Sequence, residues 1–142
     1  MSQANRQLIQ ELYDAFARGD AGAVLAGFHP EIRWLEAEHV GYDDRNPYHG
    51  PGQVGEGVFG RIMAEWDGFR VGPHQLVAEG DVVVALGRYT GRYRATGRIL
   101  DAQFVHVWTI SNGRVTAFQQ YADTAQFGEV MGRLQPAIPL SA

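Results

Sequence analysis

The stretch from Phe104 to Asp123, FVHVWTISNGRVTAFQQYAD, is two alternating runs joined at Asn112-Gly113. Asn-Gly between alternating runs is a strong short-range signal for a β-hairpin, because both residues accept positive φ. A hairpin packed on a core requires only apolar side chains on its inner face. Here His106, Trp108 and Gln120 stand among the apolar positions. Buried groups that donate hydrogen bonds or exchange protons require partners, so these residues point to a lined pocket rather than a plain core. The turn itself allows two registers. A two-residue type I′ turn puts His106 on one face with Gln119 and Tyr121. A three-residue turn with a bulge at Gly113 puts it with Phe118 and Gln120.

The rest of the chain separates into helical and strand patterns. Leu8, Ile9, Leu12, Tyr13 and Phe16 fall at helical spacing, predicting a first helix over Gln3 to Arg18 that Gly19 ends. Asp20 is a natural N-cap for a second, short helix carrying Val24, Leu25 and Phe28, stopped by His29-Pro30. Alternation from Glu31 to Glu38 places Ile32, Trp34, Glu36 and Glu38 on one side of a strand. A loop rich in Gly, Asp, Asn and Pro spans Gly41 to Gly52, long enough to suggest a lid or pocket rim. Val54, Val58, Phe59, Ile62, Met63 and Trp66 mark a third helix, weakened by Gly55, Gly57 and Gly60 unless these serve close packing. Strands then run from Phe69 to Glu79, Asp81 to Ala95, Leu100 to Ser111 and Arg114 to Tyr121. Helices first and an antiparallel meander after them predict one α+β domain over 1–142, with the helices on one face of the sheet.

Composition narrows the chemistry. The 142 residues contain no cysteine and no lysine, so thiolate nucleophiles, Cys-based zinc sites, Schiff bases and Walker-type phosphate loops are excluded. Ser2 and Ser141 are terminal and Ser111 borders the turn, which argues against a serine hydrolase. Acid–base chemistry by Asp, Glu, His, Tyr or Arg remains. A net charge of −4 argues against a nucleic-acid partner, and no apolar run reaches the ~20 residues of a membrane span. The N-terminal residues show no signal-peptide pattern, which predicts a cytoplasmic protein. Arg88, Arg92, Arg94 and Arg98 share parity and read as one solvated strand face, or alternatively as an anion or subunit contact.

Glu36 is the candidate base. On the inward face of a strand a carboxyl loses solvation, which raises its pKa toward neutrality; at a strand edge it would simply face water. His106, between Phe104 and Trp108, is a candidate donor or a satisfied core histidine, and no metal site is expected from it with His39 and His49. Gly50 to Gly55 matches GxGxxG, but a polar loop precedes it and Pro51 occupies the turn, so a loop and helix start is the better reading.

Ala17-Arg-Gly-Asp20, Trp34-Leu-Glu36, Tyr48-His-Gly-Pro51, His106-Val-Trp108, Asn112-Gly-Arg-Val115 and Tyr121-Ala-Asp-Thr124 together resemble a known pattern. The chain is similar, from about Gln3 to Gly128, to the SnoaL-like, ketosteroid-isomerase-related branch of the nuclear-transport-factor-two-like superfamily. The resemblance implies a cone-shaped curved antiparallel sheet packed against three N-terminal helices, a cystatin-like roll, with 129–142 as a tail. It implies a small acid–base enzyme without cofactor, acting on an apolar or polycyclic carbonyl compound by isomerase or cyclase chemistry. A non-catalytic ligand-binding or dimerisation module is the alternative; epoxide hydrolase or dehydratase activity fits less well.

By that resemblance the isomerases' base falls on Glu36, their helix-one tyrosine on Leu12 with Tyr13 beside it, and a second donor on His106. Asp123 is a further catalytic candidate, or else the N-cap of a last helix. Trp34, His49, Tyr89, Phe104, Trp108, Phe118 and Gln120 would contact the substrate. Where epoxide hydrolases carry an Arg-x-Asp pair the chain reads Gly87-Arg88-Tyr89, and Gln120 stands for their water-activating aspartate. A homodimer through the outer sheet face is implied, and the resemblance favours the bulged hairpin register.

Overall fold

The computed structural model describes residues 2–134; of the expected tail, 135–142 lie outside them. Helix α1 (Ser2–Ala17) buries Ile9, Leu12, Tyr13 and Ala15, and Gly19 follows it at φ 78°. The Asp20 carboxylate accepts the Ala23 N–H at 3.0 Å and starts α2 (Ala21–Ala26). Phe28 is not in that helix, contrary to expectation; it opens β1 (Phe28–Leu35). The cause is local: Pro30 disfavours a helical conformation at His29. At its other end β1 stops at Leu35, so Glu36 lies just past the strand, and Glu38, expected beside it, is exposed.

The expected loop contains a 3-10 turn (Asp43–Arg45) and a two-residue strand β2 (Tyr48–His49). The third helix is composite: α3 (Gly50–Val54), a π-turn (Gly55–Phe59) and α4 (Gly60–Glu65). Its glycines have a reason. A Cβ on Gly57 would stand 2.4 Å from the Tyr48 ring. Met63 faces solvent, and Trp66 belongs to the next strand rather than to the helix.

Strands β3 (Trp66–Glu79), β4 (Val82–Tyr93), β5 (Ile99–Ser111) and β6 (Arg114–Ala122) form the meander. The sheet order is β2-β1-β6-β5-β4-β3, an open sheet with β2 and β3 at its edges. It is mixed rather than wholly antiparallel, because β1 runs parallel to β6. Their register skips between Phe28 and Arg33, around Pro30, which has no N–H to give a ladder. Helix α5 (Thr124–Val130) follows, capped by Asp123, whose carboxylate accepts the Gln126 N–H at 3.1 Å.

The hairpin resolves in a way neither simple register describes. Ser111 pairs with Arg114 and Ile110 with Val115, so the turn has two residues, Asn112 at φ 50° and Gly113 at φ 76°, as a type I′ turn requires. One step on, Thr109 pairs with Ala117, leaving Thr116 as the extra residue of a bulge within β6. The bulge, not the turn, flips the register. His106 thereby pairs with Gln120 and Trp108 with Phe118, all buried on the inner face.

The four arginines do not form a free cationic row on one strand. Arg94 and Arg98 lie beyond β4; Arg92 and Arg94 share Asp67, and Arg88 pairs with Asp101, each at 2.7 Å. These are exposed pairs that add little stability.

Tyr48 is 1 % exposed and held by its hydroxyl, so it cannot yield to a methyl group on Gly57. Gly57→Ala is expected to cost about 1–3 kcal/mol by overpacking. Urea unfolding of the variant measures this; an unchanged midpoint would contradict the packing account.

Candidate functional site

The parity of β4, β5 and β6 turns Tyr89, Phe104, His106, Trp108, Phe118 and Gln120 to one side, where α1 and the composite helix cover them. Between these layers lies a cavity lined by apolar and aromatic side chains and by Tyr13, Glu36, Tyr89, His106 and Gln120. It leaves about 60 Å³ to the centres of water molecules, several times what one buried water requires. Of its lining residues among those described, Phe16 on α1 and Phe69 and Val71 on β3 are half-buried and the rest are buried.

Glu36 is held by replacing strand partners with side-chain amides. Where β1 ends, the Glu36 N–H donates to Asn46 Oδ1 at 2.9 Å, and its carbonyl accepts from Asn46 Nδ2 at 2.8 Å. The next N–H, of Ala37, donates to Gln120 Oε1 at 2.9 Å. Trp34, stacked on Phe118 with ring centroids 3.7 Å apart, donates its indole N–H to Glu36 Oε2 at 2.7 Å. No buried side-chain polar atom among the described residues lacks a partner, so Oε1, which takes no protein hydrogen bond, opens to the cavity.

Burial pushes the Glu36 carboxyl up to about 7, against the opposing pull of the Trp34 N–H and the Arg61 charge. Arg61 does not neutralise it. That guanidinium is paired with Asp44 at 2.8 Å and donates to the Tyr48 hydroxyl at 2.8 Å.

Facing this carboxyl side is a chain of neutral groups. The Tyr13 hydroxyl meets His106 Nδ1 at 2.6 Å and accepts the Trp108 N–H at 2.9 Å. The Tyr89 hydroxyl bonds His106 Nε2 and accepts from Gln120 Nε2 at 2.8 Å. Burial lowers His106 to about 3 and raises both phenols well above their ordinary range, so the imidazole and the phenols stay uncharged near neutrality.

Of the expected site residues, Glu36, Tyr13, His106, Trp34, Tyr89, Trp108, Phe118 and Gln120 line this one cavity. Phe104 packs behind it, stacked on His106 with centroids 4.0 Å apart. Two expectations are corrected. Asp123 sits outside the cavity and caps α5, and His49 is exposed on β2. A third concerns role: both ring nitrogens of His106 are occupied by tyrosines, so it does not itself reach a ligand. Sequence reasoning missed Asn46, whose clamp on Glu36 is a tertiary contact with no local signature beyond a turn-rich loop. It also missed Phe59, Phe69, Tyr42 and Phe127 as cavity wall. Helical spacing marked Phe59 as buried but not as facing a void, whereas Phe69 opens a strand, Tyr42 lies in the turn-rich loop and Phe127 lies past the last strand, where no pattern singles them out.

The model of the SnoaL-like domain matches residues 9–118. The chain belongs to the SnoaL-like family. Among solved structures, an NTF2-like protein of Burkholderia thailandensis is 32% identical, over 93% of this chain and 98% of that one, with a TM-score of 0.86. TerC, co-crystallised with polyporic acid, is 27% identical over 91% and 98% of the two chains, TM-score 0.79. A putative SnoaL-like polyketide cyclase of Jannaschia sp. CCS1 covers 95% of each chain with a TM-score of 0.78, but at 18% identity it shows the fold alone. Among curated proteins no sequence matches this chain. No helix of the described residues is long and apolar enough to cross a membrane.

The Glu36 environment has a consequence for this SnoaL-like protein's stability. The unfolded carboxyl titrates near its ordinary 4.5 and the folded one near 7. A raised folded value favours the folded state fully below pH 4.5, and that advantage is lost as the pH rises to about 7. The interval corresponds to roughly 3 kcal/mol. Denaturant midpoints between pH 4 and 8 should fall across this window in the wild type, and the fall should be reduced by that amount in Glu36→Gln. Parallel profiles for the two proteins would contradict it.

Proposed function

We propose that this SnoaL-like protein is a small acid–base enzyme in which Glu36 removes a proton next to the carbonyl of an apolar, ring-containing substrate. The observation carrying this is one uncompensated carboxyl, with one oxygen open, in the same apolar cavity as a wall of phenol donors. A carboxyl near 7 is present in both forms at neutral pH, so it can accept the proton and return it at another carbon. As the C–H bond breaks, its electron pair moves to the carbonyl oxygen. A Tyr13 or Tyr89 hydroxyl hydrogen then bonds the enolate oxygen in a medium where few dipoles compete. Return of the proton to a different carbon is isomerisation; attack of the enolate carbon on a second carbonyl is cyclisation.

A ligand-binding module is the second reading, favoured by the polar chain's closure upon itself: His106 and Gln120 spend their polar atoms on protein partners. Two structural relatives are described with bound small molecules, TerC with polyporic acid and a Catenulispora acidiphila protein with trimethylamine. Glu36→Gln separates the readings. Turnover of a substrate should fall at least ~100-fold, as loss of a general base does, while ligand affinity changes little. Unaltered turnover would remove Glu36 from the mechanism. Phenols, which mimic an enolate, should bind as phenolates with a lowered apparent pKa; binding that ignores ionisation would favour the module.

A homodimer is proposed as well. Leu86, Val105 and Tyr121 are directly opposed across β4, β5 and β6 on the outer sheet face, and Tyr121 is 56% exposed. A second copy over this row would cover it. Sedimentation at micromolar concentration should give a dimer that Tyr121→Asp weakens; a wild-type monomer would refute the arrangement.

A further inference from the structure

The hydrogens of the Tyr13–His106–Tyr89 chain do not balance. A neutral imidazole carries one N–H, and each phenol one O–H, which makes three hydrogens in all. Two bonds within the chain, Tyr13 to Nδ1 and Tyr89 to Nε2, use two of them. One phenol hydrogen is left over, and it has no acceptor among the described residues. The other neighbours of the phenol oxygens are donors: the Trp108 indole N–H on Tyr13 and the Gln120 amide on Tyr89. The amide's orientation is set, because its oxygen already accepts the Ala37 N–H.

Which phenol has the spare hydrogen depends on the ring. With the proton on Nδ1, His106 donates to Tyr13, Tyr89 donates to Nε2, and the Tyr13 hydrogen is free. With the proton on Nε2, the bonds reverse and the Tyr89 hydrogen is free. Both tyrosines line the cavity, one at each end of the imidazole. We infer that His106 is a tautomeric switch that presents a single hydrogen-bond donor at Tyr13 or at Tyr89, according to where a ligand places its oxygen.

This deepens, and rests on, the donor role proposed for the phenols. His106 is then a positioning residue. The wall serves one acceptor oxygen at a time, so it suits a ligand presenting one carbonyl or enolate oxygen to it. A compound pressing an acceptor on each phenol at once would leave one of them without a hydrogen.

Protein labelled with ¹⁵N-histidine tests the switch without a ligand, because ring nitrogen shifts distinguish protonated from bare nitrogen. In Tyr89→Phe the remaining phenol should hold the proton on Nδ1, since the alternative orphans a buried N–H, the more costly defect. In Tyr13→Phe the same logic places it on Nε2. Opposite tautomers in the two variants are the expected result. The same tautomer in both, or a doubly protonated ring at pH 7, would overturn the switch.

The wild type provides a second measurement should either variant fail to fold. Saturation with 4-nitrophenolate should move its two His106 ring signals in opposite directions; unmoved signals with the phenolate bound between the tyrosines would also overturn it. Each single variant should keep phenolate affinity within about tenfold, whereas Tyr13→Phe/Tyr89→Phe together should lose roughly ten- to hundredfold more. If 4-nitrophenolate does not bind the wild type at all, the donor role in the proposed function fails. The ligand-free tautomers of the variants then decide the switch separately.

Discussion

The site depends on one backbone hydrogen bond, from the Ala37 N–H to the Gln120 side chain. It closes the end of β1 where no further strand partner exists, and by occupying the amide oxygen it aims the amide N–H at Tyr89. Tyr89 in turn meets His106, His106 meets Tyr13, and Tyr13 is held from the far side by Trp108. A buried polar chain of this kind is stable because each member has a partner, and one missing link would strand the next. The same bond also keeps Glu36, one residue earlier, at the cavity wall.

The chain can form only because Thr116 is bulged. Without the extra residue His106 would face Gln119, and the β6 side chains around Gln120 would change sides. The inner face would then offer Ala117, Gln119 and Tyr121 in place of Phe118, Gln120 and Ala122. Trp34 would lose the ring it stacks on, and with it the support that aims its indole N–H at Glu36. One inserted residue in the interior β5–β6 ladder thus sets both halves of the polar site. The aromatic lattice around it, from Phe28 through Trp34 and Trp108 to Phe118, transmits that register into fixed ring positions.

Membership of the SnoaL-like family and the α+β architecture were legible in the sequence because they rest on repeated signals. Helical spacing in α1, alternation through four strands and turn residues between them each point the same way. Errors fell where a local rule met a stronger one: Phe28 left the second helix because of Pro30, and Trp66 joined the sheet rather than the third helix. In the site, Glu36 and His106 were visible as polar residues at apolar parity. Asn46 was not, since an asparagine in a polar loop carries no sign of what its amide will hold. Asp123 had two readings, and the N-cap geometry, a short-range contact three residues long, is the one the structure displays.

By itself the sequence determined what kind of groups this protein has to work with: no thiol, no amine nucleophile, and the carboxyls of Glu36 and Glu38 and the imidazole of His106 at the parity of apolar and aromatic residues. Periodicity does this because burial follows side-chain parity along each element. The tertiary structure alone decided what those groups are. It left Glu36 half-ionised near neutrality by removing water and withholding a cation, and it kept His106 neutral between two phenols. His106, for example, is held by tyrosines 17 and 93 positions away, and such desolvation and hydrogen-bond partners are set by the packing of separate elements rather than by any local pattern.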